Sequence, residues 1–487
     1  MEPIWVIFII VVYFGVLLLV GAYTSRNATN ESFFLGNRQS PWYVVAFGML
    51  GASLSGVTFI SVPGYVGNSQ FSYLQLVMGY LLGYFVVANV LLPLYYRLNL
   101  TSIYTYLDTR FGFYSYKTGA TFFLISRVIG ASFRLFLVAT VLQVSVFDAW
   151  GVPFIVTVIV TILLIWLYTN RGGIKTIIWT DTLQTAILLI AVVLTIYFIA
   201  KQMDLSFVQM VKVIKGSEHS RTWFFDDWND KRHFIKQFFS GAFITIVMTG
   251  LDQDMMQKNL SCRNIGDAKK NMYWYGFAFL PVNLIFLSLG VLLFIFANQQ
   301  GIPIPEQTDE LFPIIATQGY LPKVVSILFI LGIVAAAYSS ADSALTALTT
   351  SFTVDILNPK NKTENELKRI RRIVHISISI LIAIVIMVFR AVNDQNVISA
   401  IFTVAGYTYG PLLGLYAFGL FTRFKVRDKW VPIVAIISPI LCYFLSMYSE
   451  ILFNGFKFGF ELLMVNGAIT FFGLLLLSKR GERVEQI

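Results

Sequence analysis

Three clusters of polar residues lie inside long apolar runs of this chain, and their types suit holding ions more than breaking bonds. In LGIVAAAYSSADSALTALTTSFTVDIL, Ala336, Ser339, Ser340 and Ser343 follow i, i+3, i+4, i+7 and so share one helix face. Two adjacent hydroxyls and a nearby carbonyl on that face make a hard-oxygen corner suited to sodium. Such a corner needs a second element to bring its ligands to about five or six. The competing reading is that the hydroxyls bond back to their own helix, as Ser and Thr in membranes commonly do. Asp342 resists that reading, because a carboxylate in an apolar helix requires a cation, a proton or a partner.

Asp181, in RGGIKTIIWTDTLQTAILL, lies about one turn into its apolar run. It is either an interfacial carboxylate at a helix start or a second cation ligand facing Ser339, Asp342 and Ser343. Arg134, in SRVIGASFRLFLVATVLQ, sits near the middle of its run, too deep to snorkel. It needs an anionic solute group or an internal set of acceptors. Arg127, seven residues earlier on the same face, is nearer an end and reads as structural. Gln75, in FSYLQLVMGY, is a further candidate for solute contact. Cys262 and Cys442 are far apart and His219, His233 and His375 lack ligand spacing, so neither a disulfide staple nor a metal centre is indicated.

The element that would complete the sodium corner is the run PWYVVAFGMLGASLSGVTFISVPGYVG. Gly48, Gly51, Gly56, Pro63 and Gly64 interrupt it, and Ser53, Ser55, Thr58 and Ser61 add hydroxyls. That density favours a local unwinding whose freed carbonyls bind a cation; the alternative is close packing through small residues. Ser53 and Thr58, beside the expected break, are candidates for the solute. A second run, GAFITIVMTGLDQDMMQ, also has glycines at its polar end, so two five-helix halves would each open with an irregular helix.

Composition requires these runs to be membrane spans. Of 487 residues, 57% are hydrophobic and only 13% charged, about half the charged share of soluble chains. This excludes a disordered protein, a secreted disulfide scaffold and an ordinary cytosolic enzyme. The net charge of +10 reflects Lys and Arg gathered in cytoplasmic loops, not nucleic-acid binding. At about twenty residues per span, candidates run near 4–23, 42–66, 71–96, 118–147, 152–169, 177–200, 237–257, 273–297, 323–354, 373–391, 396–421, 431–448 and 459–478. The architecture expected is an all-α polytopic membrane protein of roughly thirteen helices. The first run lacks a basic start and a cleavage site and reads as a retained span. With the N-terminus outside, 24 of the 36 Lys and Arg face the cytoplasm, Lys258 among them. The segment 201–236, with Trp223, Phe224, Phe225 and Trp228, reads as an interfacial surface piece, and NKTENELKRIRR as a solvated loop.

Five strings in order, GASLSGVTFISVPGYV, PLYYRLNLTSIYTYLDTRFG, GGIKTIIWTDTLQ, LDQDMMQKNLSCRNIGDAKK and AAYSSADSALTALTTSFTVDIL, resemble the sodium:solute symporter family over nearly the whole chain. The first two look nearest the branch of iodide, monocarboxylate and multivitamin carriers; bacterial sialic acid symporters are also similar. The resemblance implies a LeuT-type five-plus-five inverted repeat in one transmembrane domain over 1–487. An extra helix would lie at 4–23, repeats at 42–200 and 237–421, and two closing helices at 431–478. It implies a main sodium site of Ala52, Ser55, Ala336, Ser339 and Ser340, and a second at Asp181, Ser339 and Ser343. Asp342 departs from the small residue such relatives carry, so two carboxylates there would hold sodium or share a proton. It also implies that Arg134 faces a substrate carboxylate.

The expectation is therefore a sodium-coupled symporter, carrying one or two Na+, that imports a small organic anion such as sialic acid, a uronate or a monocarboxylate. A neutral sugar or polyol is the alternative. A channel would need a pore-lining ring of charges, a sensor an appended domain, and an intramembrane enzyme a nucleophile with its base; none is apparent. The partners expected are solute and lipid, with no nucleic acid, in a monomer or weak oligomer. The compact loops and the lack of long charged tails point to a bacterial inner membrane.

Overall fold

The structure, a computed structural model, describes residues 3–26, 29–358, 362–392 and 397–483. Lys360 and Asn361 of the basic loop, and the first residue of the span expected from 396, lie outside them. With no water in the hydrocarbon layer, each spanning segment must satisfy its own backbone, and helices do so. Among the described residues eight helices are long and apolar enough to cross a membrane. Two bent pairs bring the number to ten, Trp42–Ser53 with Gly56–Ser69 at 57° and Phe234–Gly250 with Gln253–Leu260 at 64°. Phe154–Leu167 and Leu462–Leu476 are apolar but shorter than a full span.

The order of elements repeats. One helix, Pro3–Thr24, precedes the first bent pair. Four long helices follow that pair, Ser72–Arg97, Phe113–Leu142, Phe154–Gly172 and Ile174–Gln202. Four more follow the second pair, Ile265–Gln300, Lys323–Ser351, Glu364–Val392 and Val397–Phe421, and two apolar helices close the chain. Each half thus opens on a broken helix. The β structure described is one antiparallel pair, Phe424–Val426 with Ser478–Arg483.

The helix Lys323–Ser351 is the centre of the fold, buried without interruption from Gly332 to Ser351. Its alanines and serines let neighbouring backbones come close, the packing that association in lipid depends on. Ile174–Gln202 and Trp42–Ser53 both pack on it. Where those two meet, a Cβ on Gly51 would lie 1.9 Å from Thr185 Oγ1, so only glycine fits. The outer faces keep large apolar side chains exposed, Phe8, Val11, Leu19, Ile159, Ile380 and Phe472 among them, as a lipid solvent permits.

The segment after Gln202 behaves as an interfacial piece. The helix Phe207–Gly216 buries none of its side chains and is capped by Ser206 and Gln209 in a reciprocal box. The chain then returns to the helix ends: Phe71 N donates to Arg221 O at 3.0 Å, and Phe234 N to Phe224 O at 2.8 Å. In this loop Asp230 accepts four hydrogen bonds from the guanidinium and backbone of Arg232, which hold its carboxyl below the usual range against the effect of burial. Both cysteines are free and buried, and burial pushes the Cys262 thiol up to about 12.

Candidate cation and solute site

The first break falls where glycine and serine are densest. Leu54 (φ −82°, ψ 70°) and Ser55 (φ −68°, ψ 172°) leave the helical region, so the carbonyls of the preceding turn lose their intrahelical donors. Ala52 is in that turn, and its carbonyl accepts from Ser340 Oγ at 3.1 Å. The contact joins two elements 288 residues apart with two hard oxygens. Ser55, at the start of the second piece, accepts from Phe59 N at 3.0 Å and keeps one lone pair for another partner. Ala336 and Ser339 are buried beside Ser340 on the same face. All five residues carried over for the main sodium site therefore belong to two elements that touch at this point.

Ser339 also reaches a second corner. Its Oγ donates to Asp181 Oδ1 at 2.6 Å, and Ser343 Oγ to Asp181 Oδ2 at 3.3 Å. Asp181 is fully buried, so it is not an interfacial cap. Its remaining partner was not foreseen: Lys258 Nζ lies 2.8 Å from Asp181 Oδ2 and 3.9 Å from Asp254 Oδ1. Lys258, which charge counting assigns to a cytoplasmic loop, is only 1% exposed. The chain turns back into the protein after the second break and carries it inside. Asp342 is buried on the serine helix; Tyr13, which accepts from Gln184 Nε2 at 3.0 Å, has both Asp181 and Asp342 among its charged neighbours.

The second break, at Leu251 and Asp252, is closed by side chains. Tyr95 Oη donates to Gly250 O at 2.8 Å and Tyr104 Oη to Leu251 O at 2.9 Å. Asp252 caps the next piece by accepting from Asp254 N at 2.9 Å and also takes the Tyr409 hydroxyl. Arg127 pairs with Asp254 and lies 3.7 Å from Asp252. Arg127 is thus structural, and a line of alternating charge runs from Asp181 through Lys258, Asp254 and Arg127 to Asp252.

Arg134 stands apart from that line. Among the described residues its Nε has no hydrogen-bond partner and it makes no ion pair; Arg127 and Asp252 are among the charges that act on it. It lines a cavity of about 100 Å³ with Ser53, Ser55, Thr58, Thr249 and Tyr275. Ser53 Oγ and Tyr275 Oη share a hydrogen bond of 2.6 Å, and Tyr84 Oη donates to Tyr275 Oη at 3.0 Å. The structure therefore brings Arg134, Ser53 and Thr58 to one cavity. Gln75 is a correction. Its amide donates to Arg232 O at 2.8 Å and accepts from Phe224 N at 3.3 Å, so it ties the outer loop down and does not line the cavity.

Lys258, Asp254 and the tyrosines of the second break were missed because each is defined by a distant partner. The available signal was the pair Asp254 and Lys258 at i, i+4 just past a break, in a chain whose Asp181 required a counter-charge.

Comparison with known proteins places the chain in a family. The chain is 25% identical over 447 residues to the sodium/sialic acid symporter NanT of Aliivibrio fischeri, covering 88% of this chain and 85% of that one. It is 25% identical over 463 residues to the sodium/sialic acid symporter SiaT of Proteus mirabilis, covering 92% and 90%. With the sodium-dependent multivitamin transporter of Oryctolagus cuniculus it shares 27% over 460 residues, 90% of this chain and 69% of the relative. In fold it matches the substrate-bound outward-open state of a Na+-coupled sialic acid symporter, with a TM-score of 0.84, 21% identity and 99% of both chains covered. Mhp1, a nucleobase-cation-symport-1 transporter, matches at 0.55 with 14% identity, over 93% of this chain and 94% of that one. These likenesses identify the LeuT-type architecture. The family profile described as Sodium:solute symporter family matches residues 33–429. The chain is thus a sodium-coupled membrane transporter and not an enzyme, and it belongs to the sodium:solute symporter family.

Proposed function

We propose that this chain imports a small organic carboxylate together with sodium, by alternating access. The observation that carries the reading is Arg134, a guanidinium whose Nε has no partner among the described residues, in the wall of a cavity that the broken helix also lines. Sodium held by Ala52, Ser55, Ala336, Ser339 and Ser340 ties the broken helix to the serine helix. It also brings positive charge to Ser55, which lines that cavity. A carboxylate there meets both the ion and Arg134, and each ligand strengthens binding of the other. Ser53 and Thr58 supply hydroxyls to its remaining oxygens. The loaded carrier then rocks to open the opposite side.

A neutral sugar or polyol would use the cavity's hydroxyls, but Ser53, Tyr84 and Tyr275 already satisfy one another. The group still in need of a partner is cationic. The distribution of basic residues supports an outside N-terminus and a cytoplasmic C-terminus. The Aliivibrio and Proteus relatives support a bacterial inner membrane.

Arg134→Ala and Arg134→Lys in purified protein test the reading by thermal stabilisation, in sodium against potassium, with sialic acid, a uronate, a short monocarboxylate and neutral sugars. Stabilisation by a carboxylate only in sodium, lost in Arg134→Ala and partly kept in Arg134→Lys, is the expected result. Carboxylate binding of unchanged affinity in Arg134→Ala would make the arginine structural.

A further inference from the structure

The corner at Asp181 has the composition of a cation site: a buried carboxylate, two serine hydroxyls aimed at it, and a short distance to the main sodium corner through Ser339. In this chain a cation is already there. Lys258 Nζ contacts Asp181 Oδ2 at 2.8 Å, while Ser339 and Ser343 donate to Oδ1 and Oδ2 at 2.6 and 3.3 Å. Both carboxylate oxygens thus face donors, and a sodium ion would have to displace the ammonium to reach them.

Lys258 is also not placed to leave readily. It stands on the short helix Gln253–Leu260, which side chains clamp on several sides. Gln253 Nε2 donates to Thr101 O at 2.9 Å, and Gln257 Nε2 donates to Phe34 O at 2.7 Å and Thr350 Oγ1 at 3.0 Å. Asn259 Oδ1 accepts from Asn271 at 2.7 Å. Asp254, the other carboxylate near the ammonium at 3.9 Å, is taken by Arg127. Asp181 is therefore the principal counter-charge for Lys258, and Lys258 for Asp181.

We propose that the Lys258 ammonium holds the position of a second coupling cation, so that each cycle carries one sodium ion. A tethered cation neutralises Asp181 without being transported. The inference rests on the sodium-coupled reading above but not on the solute. With a monovalent carboxylate as cargo, one sodium per cycle moves no net charge, so uptake should not respond to membrane potential.

The test is equilibrium binding of radioactive sodium to the purified full-length protein without solute, which separates the ion count from the solute assignment. Wild-type protein should bind one ion, with an affinity about tenfold or more lower in Ser340→Ala. Lys258→Gln should bind two, with the Hill coefficient of sodium rising from one towards two. Asp181→Asn combined with Lys258→Gln removes both charges together and should return to one. Two ions bound by the wild type would overturn the proposal. So would a folded Lys258→Gln protein that still binds one. If Lys258→Gln does not fold, the wild-type count and the double variant decide. If instead no carboxylate is transported while the count is one, the solute reading fails and this one stands.

Discussion

At the first broken helix the carbonyl of Ala52 meets a serine hydroxyl from another helix. At the second, the carbonyls of Gly250 and Leu251 are closed by Tyr95 and Tyr104, and Asp252, Asp254, Arg127 and Lys258 fill the space around them. The two breaks occupy equivalent places in the two halves, yet on the proposed reading one is completed by an ion from solution, whereas the other is completed by the chain itself. If sodium binds the first break as proposed, the ion joins two helices that are otherwise held there by the hydrogen bond from Ser340 to Ala52 O. The second break, with its own cations, has no such dependence.

The contrast predicts very different responses to substitution. Arg127→Ala should have the largest effect, because it leaves Asp252 and Asp254 buried without their main counter-charge. Breaking a buried pair costs about 3–5 kcal/mol, a large part of a typical total stability. The variant should give little folded protein by size-exclusion profile, and what folds should melt far lower in sodium and potassium alike. Normal stability in Arg127→Ala would mean that the second break is not held by its charges.

Ser340→Ala should act on the first break in the opposite manner. It removes one ligand from the proposed sodium corner and a single hydrogen bond of 3.1 Å, so the melt in potassium should move little. The half-saturating sodium concentration should rise about tenfold or more, equivalent to about 1.4 kcal/mol, and stabilisation by sodium should shrink accordingly. If Ser340→Ala lowers stability equally in both salts, the hydroxyl is architectural and the two breaks are alike.

How legible each break is in sequence follows from the same physics. The first is written in local composition: Gly51, Ser53, Ser55 and Gly56 crowd one stretch, and the i, i+3, i+4, i+7 spacing on the serine helix depends on nothing outside that helix. The bend of the second is also local, in the glycine before Leu251 and Asp252. What fills it is not. Lys258 ends an apolar run, where a lysine ordinarily marks a loop, and only the turn of chain after the break brings it to Asp181, 77 residues upstream. Gln75 misleads for the reverse reason, since a buried amide in a span resembles a solute ligand until the outer loop folds down onto it. The helix order was legible because lipid forces each span to declare itself by length and apolarity. The number of spans was less so, because Phe154–Leu167 and Leu462–Leu476 are short for a full crossing.

The mildest probe of the comparison is Tyr104→Phe. The tyrosine is fully buried, and the substitution keeps its ring while removing the hydroxyl that closes Leu251 O. A buried carbonyl left without its donor costs about 1–2 kcal/mol, a fraction of the Arg127 effect, and the loss should appear equally in sodium and potassium. Sodium half-saturation should be unchanged, because that carbonyl has no part in the cation corner. A shift in sodium affinity without a shift in the potassium melt would show that the tyrosines of the second break restrain its carbonyls from an ion. The distinction between a borrowed and a built-in closure would then be a matter of which hydroxyl arrives first.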